Sequence, residues 1–222
     1  MSYFTSDFIA FFEDLSDNNN KSWFDQNRKR YEKSVKEPFN AFVEEMIVRI
    51  HKDNSDILIR PSEAIFRINR DIRFAKDKTP YKTHMAALIS TEGRKARDFP
   101  GFYFQLGSSG IRIYSGVHQL QKGRLDQVRA YICNDLSMFE KVITEKTFQD
   151  HFNEILGEKN KRLPSEYKDF FDQQPLVANK DFYIMAELEN KYITQPDLSN
   201  KLMEYYFAAK PLISYLTDAL NS

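Results

Sequence analysis

The fold of this chain is decided by residues 102–115, which read Phe102-Tyr103-Phe104-Gln105-Leu106-Gly107-Ser108-Ser109-Gly110-Ile111-Arg112-Ile113-Tyr114-Ser115. Apolar and polar side chains alternate on both sides of a short turn that is rich in glycine, which is the pattern of a β-hairpin. In the first arm, Phe102 and Phe104 lie on one face of the predicted strand, and Tyr103 and Gln105 lie on the other. The hairpin therefore predicts a sheet with one apolar face and one mixed polar face, as antiparallel sheets often have.

Strand patterns also occur outside this hairpin, at residues 64–69 and 84–90. Residues 182–188 fit a strand or a helix, and we favour a strand. The turn of the hairpin needs a backbone conformation that glycine adopts at no steric cost. We therefore expect a positive φ at Gly107 or Gly110.

Helical spacing flanks the strands on both sides in the sequence. It covers residues 22–51, where Pro38 predicts a kink or a restart, and it resumes at Arg124. This order predicts an α+β fold, with a mainly antiparallel sheet over about residues 64–115 packed by a long N-terminal helix and C-terminal helices. No repeat or shift in composition suggests a boundary, so residues 1–222 are expected to form a single domain.

Charge and composition limit the partners and the location. The 222 residues carry 32 Lys and Arg against 32 Asp and Glu, so the net charge is zero. A neutral chain gives little general attraction for nucleic acid, although a local patch remains possible. No apolar stretch has the length of a membrane span, and the N-terminus lacks the pattern of a secretory signal. A single cysteine, Cys133, excludes an intrachain disulfide, so we expect a cytoplasmic protein.

Several common chemistries have no sequence signal. The chain has no P-loop, no glycine-rich dinucleotide motif and no nucleophile elbow. Its four histidines lie far apart, and no Cys/His group has the spacing of a zinc site, so no metal site is predicted. No nucleophile and base can be paired, so the sequence assigns neither catalysis nor a cofactor.

The most informative stretch is the basic segment, residues 60–84. Seven basic and three acidic residues give it a local charge of +4 within a neutral protein, and Ile and Phe side chains separate the charges. A guanidinium in apolar surroundings needs a carboxylate or phosphate partner. The candidate ligand-binding residues of this segment are Arg67, Arg70, Arg73, Lys76, Lys78, Tyr81, Lys82 and His84.

Two interpretations of the basic segment stay open. In the first, its Arg and Lys side chains converge on a small phosphate- or carboxylate-bearing ligand. In the second, the segment belongs to a non-catalytic structural or interaction module, and its arginines pair with Asp71, Asp77 or carboxylates of the long helix.

A second candidate group lies near the N-terminus. Trp23, Asn27 and Tyr31 recur at every fourth residue and therefore share one face of a helix. They could form a stacking wall for a base or a sugar. Alternatively, the two aromatic side chains belong to the core and Asn27 bonds to a neighbouring backbone group.

The two candidate groups carry a resemblance to a known family. Residues 18–24 (Asn-Asn-Asn-Lys-Ser-Trp-Phe) followed by Asn27 and Tyr31 resemble its opening motif, and residues 67–84 resemble its central motif. The chain is similar in this way, over nearly its whole length, to the family called domain of unknown function 2461. Because the biochemistry of that family is unassigned, the resemblance implies a fold and no reaction.

Overall fold

The computed structural model describes residues 2–95 and 99–222 and shows an α+β fold. Its sheet has four antiparallel strands in the order β1-β2-β3-β4. The strands are β1 His84–Ile89, β2 Gly101–Gly107, β3 Gly110–Val117 and β4 Phe182–Leu188. The helices are α1 Ser6–Asp17, α2 Lys21–Gln26, α3 Arg28–Tyr31, α4 Glu37–Asp53, α5 Pro61–Ala64, α6 Lys122–Asn134, α7 Leu136–Thr144, α8 Lys146–Phe152, α9 Lys168–Phe171 and α10 Leu198–Asn221. Within residues 2–95 and 99–222, every helix is too short or too polar to cross a bilayer.

The predicted helix over residues 22–51 is interrupted twice. Asn27 closes α2, since both its backbone N–H and its side-chain amide donate to the carbonyl of Trp23, each over 3.0 Å. A wider π-helical turn, Glu32–Lys36, then leads into α4, with the N–H of Glu37 donating to the carbonyl of Glu32. Pro38 follows in the first turn of α4, where a missing N–H is tolerated, and the backbone stays helical at Lys36 and Glu37 on the way into it. A π-helical turn therefore lies where the sequence predicts a kink or a restart.

The prediction of a continuous strand at residues 64–69 is wrong. Ala64 ends α5, because Pro61 starts a helical turn and the Glu63 carboxylate accepts the backbone N–H of Arg60 over 2.9 Å. Beyond it the chain forms only isolated antiparallel bridges, Ile65 with Ala87 and Asn69 with Tyr81. The register shifts by two residues between these bridges, which prevents a regular ladder.

The chain divides into two compact units, each assembled from separate segments. The first unit consists of Met1–Arg94, Tyr103–Ile113 and Glu187–Met203, and the second of Lys95–Phe102, Tyr114–Ala186 and Glu204–Ser222. The single-domain organisation expected from the sequence therefore stays a prediction.

Aromatic side chains form the core of the first unit. Phe8, Phe11 and Phe12 of α1 are fully buried, as the helical spacing of that segment implies. The ring of Phe42 in α4 meets the ring of Phe104 in β2 edge to face, with centroids 5.7 Å apart. Phe104 is also fully buried, so the apolar face predicted for this strand lies in the core.

The second unit contains a buried cation, Arg129 of α6, whose side chain is only 2% exposed. Its guanidinium donates to the carbonyls of Val177 over 2.9 Å and Asn179 over 3.0 Å. Asp126 lies one helical turn away, with a carboxylate oxygen 3.7 Å from the guanidinium. These oxygens satisfy a charge that burial would otherwise strongly disfavour.

The hairpin turn gives the first testable prediction. Gly110 has a φ of +119°, as expected for one of the two turn glycines, and a Cβ added there would lie 2.4 Å from the carbonyl oxygen of Leu188. We therefore expect Gly110→Ala to lower the free energy of unfolding by at least about 1 kcal/mol. Urea unfolding of this variant and of Ser109→Ala, which changes an exposed neighbour, measures the difference. Equal stability of the two variants would contradict the assignment of strain to Gly110.

Candidate anion-binding site

The middle of the basic segment forms a braced loop, residues 70–80, between the two partners of the Asn69–Tyr81 bridge. Arg70 bonds to Asp77 and to the hydroxyl of Thr79. The backbone N–H of Thr79, the Arg70 guanidinium and the Thr79 hydroxyl all donate to the Asp77 carboxyl and lower its pKa to about 2. The braced loop thus satisfies the Arg70 guanidinium internally, in agreement with the structural interpretation of this part of the segment.

Two more cations of the braced loop are engaged locally. Arg73 holds Asp71 through two hydrogen bonds of 3.0 Å and 2.7 Å. The ammonium of Lys78 donates to the carbonyl of Ile72 over 2.9 Å. Phe74 stands at the tip of the loop with 96% of its surface exposed, while Lys76 is also exposed.

The remaining cations of the basic segment have different surroundings. Lys82 is partly buried, and its ammonium lies 5.4 Å from the centroid of the Phe66 ring. Burial lowers the pKa of Lys82, and the positive charge of Arg67 lowers it further. Neither Lys82 nor Arg67 forms a side-chain hydrogen bond or an ion pair with any residue in the described part of the chain. These two cations, which lie beside each other, and the exposed Lys76 are therefore the cations of the basic segment that are available to a ligand.

His84, at the start of β1, lies beside Lys82. Burial lowers the pKa of its imidazole to about 4, and the charges of Lys82 and Arg112 add to this effect. Arg112 of β3 pairs with Glu187 of β4 over 2.7 Å, and both side chains are about half exposed. We call Arg67, Lys82, His84 and Arg112 the cation cluster. Two carboxylates act on it, Glu187 on Arg112 and Asp71 on Arg67, against three permanent positive charges, so the cluster keeps an excess of positive charge.

The strand pairing explains why these side chains share one surface. A Cβ on Gly107 would lie 2.5 Å from the carbonyl oxygen of Thr83 and 2.9 Å from the Cβ of His84, so only glycine lets β2 approach β1 here. The two-residue turn places Gln105 of β2 opposite Arg112 of β3. His84 and Arg112 thus lie on the face that the sequence predicts to be mixed polar, and Lys82 precedes this face by two residues.

Sequence reasoning missed Arg112, although a signal for it was present. It alternates with Ile111 and Ile113, so it had to lie on the polar face of the hairpin, the same face as Gln105. What the sequence did not supply was the pairing of β1 with β2, which brings His84 to that face.

Of the N-terminal candidates, Tyr31 lies in the core of the first unit, whereas Trp23 and Asn27 are partly buried at its edge. The ring of Phe11 is 5.6 Å from the ring of Trp23 and 5.7 Å from the ring of Tyr31. The hydroxyl of Tyr31 donates to the sulfur of Met85 over 3.6 Å, and burial raises its pKa to about 12. Asn27 bonds to the Trp23 backbone. These contacts agree with the alternative in which the three side chains have a structural role.

The opening motif nevertheless contacts the central motif directly. The side-chain amide of Asn19 donates to the carbonyl of Tyr81 over 2.9 Å and accepts the N–H of Tyr81 over 3.1 Å. The ring of Phe24 stacks on the ring of Tyr81, with centroids 4.1 Å apart and planes 15° apart. Asn19 therefore acts as a clamp that fixes the backbone one residue before Lys82. Asparagine in a run of three suggests a turn, so its sequence gave no sign of this contact.

Two other kinds of chemistry, metal binding and nucleophilic attack by cysteine, have little support among the described side chains. In the described ranges, no three His, Cys, Asp or Glu side chains gather into a metal-binding group. Burial raises the pKa of the Cys133 thiol, which favours the protonated and less nucleophilic form.

Comparison with known proteins identifies the family. The model of the family described as "Conserved hypothetical protein (DUF2461)" matches residues 7–215. No curated protein and no solved structure matches the chain. The family match includes both the opening motif with its Asn19 clamp and the basic segment with its cations. The chain therefore belongs to the DUF2461 family.

Proposed function

We propose that this protein binds a small phosphate- or carboxylate-bearing ligand at the cation cluster. One observation carries the proposal: Lys82 is partly buried beside the exposed Arg67, and its ammonium forms no ion pair or hydrogen bond among the described residues. Buried charges in proteins are normally paired, because removing them from water without a partner is costly.

A bound anion would relieve this unfavourable arrangement. It would supply the missing opposite charge to Lys82 and Arg67, and it would favour the protonated form of His84 as well. Arginine offers a planar fork that matches a phosphate or carboxylate, and lysine adds a point charge. The ligand in this proposal is therefore acceptor-rich and negatively charged.

The other candidate residues support the site from a distance. Arg70 and Lys78 brace the loop that precedes Lys82, and the Asn19 clamp holds Tyr81, whereas Arg73 pairs with Asp71 on the exposed side of that loop. Tyr31 belongs to the core next to the clamp, and Trp23 and Asn27 lie partly buried beside it.

A second candidate function is a non-catalytic interaction module. Its support is the internal pairing of the braced loop, together with the almost complete exposure of Phe74 at its tip. In that case the loop itself would be the surface that a partner contacts, and the cation cluster would stay empty.

Thermal melting in the presence of anions distinguishes the two candidates. We expect phosphate, pyrophosphate or citrate to raise the melting temperature of the wild type, since a ligand at 100 times its Kd adds about 2.7 kcal/mol of stability. Lys82→Met should lose most of this shift. The matched control is Arg73→Lys, which changes an exposed cation already paired with Asp71 and should keep the shift.

Two results would contradict the proposal. One is a wild type whose melting temperature responds to none of the anions. The other is an anion response that Arg73→Lys reduces as much as Lys82→Met does, because the cation cluster would then not be the site.

A further inference from the structure

Lys82 is the member of the cation cluster whose surroundings least suit a permanent positive charge. Its side chain is partly buried, and its nitrogen lies 5.4 Å from the centroid of the Phe66 ring. Among residues 2–95 and 99–222, no ion pair or hydrogen bond holds this nitrogen. The charge that acts on it, that of Arg67, is also positive.

These surroundings favour the free amine of Lys82 over its ammonium form. Burial penalises the charged form of a lysine, and a like charge nearby penalises it further. Both effects lower the pKa of Lys82, with burial as the larger cause. More of Lys82 is therefore present as the nucleophilic amine at neutral pH than of a lysine in water.

The other charged groups of the site leave this effect in place. His84 is uncharged at neutral pH, because its pKa is about 4, and Arg112 adds a further positive charge. The two carboxylates beside the cluster, Glu187 and Asp71, act on its arginines, and neither forms an ion pair with Lys82.

The backbone on both sides of the amine is fixed. The N–H of Lys82 donates to the carbonyl of Ile68, and the N–H of Phe66 donates to the carbonyl of Ala86, each over 2.9 Å. The Asn19 clamp also holds the residue before Lys82. A lysine that is partly desolvated, close to a second cation and held in place is arranged to attack a carbonyl group.

We infer that Lys82 forms an imine with an aldehyde or ketone group carried by the anion that binds at the cation cluster. The amine nitrogen attacks the carbonyl carbon, its two protons pass to the carbonyl oxygen, and that oxygen leaves as water without any redox change. The guanidinium of Arg67 holds the anionic group. This inference rests on the proposed function, because it names the ligand class of the same site, a 2-oxo acid or a phosphorylated aldehyde.

Reductive trapping with pyruvate tests the inference. Sodium cyanoborohydride converts an imine into a stable secondary amine, so the mass of the chain rises by that of pyruvate less one oxygen atom. Peptide mapping then locates the label. We expect the label at Lys82 to exceed severalfold that at Lys76, an exposed lysine of the braced loop. In guanidinium chloride, where the fold that buries Lys82 is lost, this difference should disappear.

Matched ligands separate the carbonyl group from the charge. Lactate has the charge of pyruvate but no carbonyl group, so an excess of lactate should compete and reduce the label at Lys82. Acetone has the carbonyl group but no charge and should label Lys82 severalfold less. A parallel series with glyceraldehyde 3-phosphate, and with glycerol 3-phosphate as the competitor, shows whether the site prefers phosphate or carboxylate.

Variants test the role of Arg67. Arg67→Met should lose most of the label at Lys82, because the anionic group then lacks its fork. The matched control is Arg60→Met, the same replacement at an exposed side chain that pairs with Glu63, and it should keep the label. Circular dichroism verifies that each variant is folded, and the peptide map of the wild type decides the inference if Arg67→Met is not.

The outcomes separate this inference from the proposed function. Equal label at Lys82 and Lys76, or no label, overturns the inference, while anion binding stands if anions raise the melting temperature. Absence of both the label and the melting shift overturns both. Equal labelling of Lys82 by acetone and pyruvate overturns the ligand class, and full label in Arg67→Met overturns the role of Arg67.

Discussion

Arg129→Met is expected to lower the free energy of unfolding by about 3–5 kcal/mol, the usual effect of removing one partner from a buried ionic network. Methionine is similar in length and apolar, so the packing of α6 is largely retained. What the variant loses is the pair of hydrogen bonds to the carbonyls of Val177 and Asn179. Both carbonyls then lack these donors in a buried environment, which costs about 1–3 kcal/mol for each.

Urea unfolding of wild type and variant at neutral pH measures this loss. The matched control is Arg60→Met, the same replacement at a side chain that is 81% exposed and paired only with Glu63. An exposed pair of this kind contributes at most about 1 kcal/mol. If both variants lose equally little stability, Arg129 is not a structural centre of the second unit.

We expect His84 to lower the free energy of unfolding in mild acid. A histidine in the unfolded chain binds its proton near pH 6.5, whereas His84 in the folded protein binds it only near pH 4. Unfolding between these values takes up a proton, so the free energy of unfolding falls as the pH falls. The slope attributable to His84 reaches about 1.4 kcal/mol per pH unit in this window, and it vanishes above about pH 7.

Urea unfolding of wild type and His84→Gln at pH 7, 6, 5 and 4.5 measures this slope. The variant should lose less stability than the wild type across the window. Lys82→Met should have an intermediate effect, because it removes one of the two positive charges that act on His84 and leaves its burial. Parallel curves for wild type and His84→Gln would show that His84 is not held neutral in the folded state.

Strict local patterns made part of the fold predictable. The hairpin alternates with a period of two over each arm, and one face of it must be buried, so its strands and its apolar side could be assigned directly. The positive φ of Gly110 was predicted from the glycines that flank the tight turn, because glycine adopts this conformation at no steric cost. The α+β class followed from the order of helical and strand patterns.

Other elements depended on contacts that no local pattern contains. Residues 64–69 have strand character, but Pro61 and Glu63 extend a helical turn to Ala64, and the shifted bridges interrupt the remainder. The sequence predicts one continuous helix over residues 22–51, but two hydrogen bonds from Asn27 to the Trp23 carbonyl end its first part.

Only part of the candidate site could be predicted, because the pairing of charges also depends on contacts that no local pattern contains. A count of charges treats the basic segment as one group, but the structure separates cations that form an ion pair with a carboxylate from those that do not. Arg73 has Asp71 and Arg70 has Asp77, whereas Lys82 has none. Arg112 joins the cluster through strand pairing, which sequence spacing does not show.

The exposed tip of the braced loop also indicates where a protease would cleave the chain. Exposed loop tips are preferred sites of proteolytic cleavage, and a protease specific for aromatic residues meets an almost fully exposed Phe74 there. A single cut after Phe74 would yield fragments 1–74 and 75–222. The bridge between Asn69 and Tyr81 and the hydrogen bonds from Asn19 to Tyr81 both join residues on opposite sides of that cut. The product would be a nicked protein in which two chains remain associated without a covalent link, with Arg67 on one chain and Lys82 on the other.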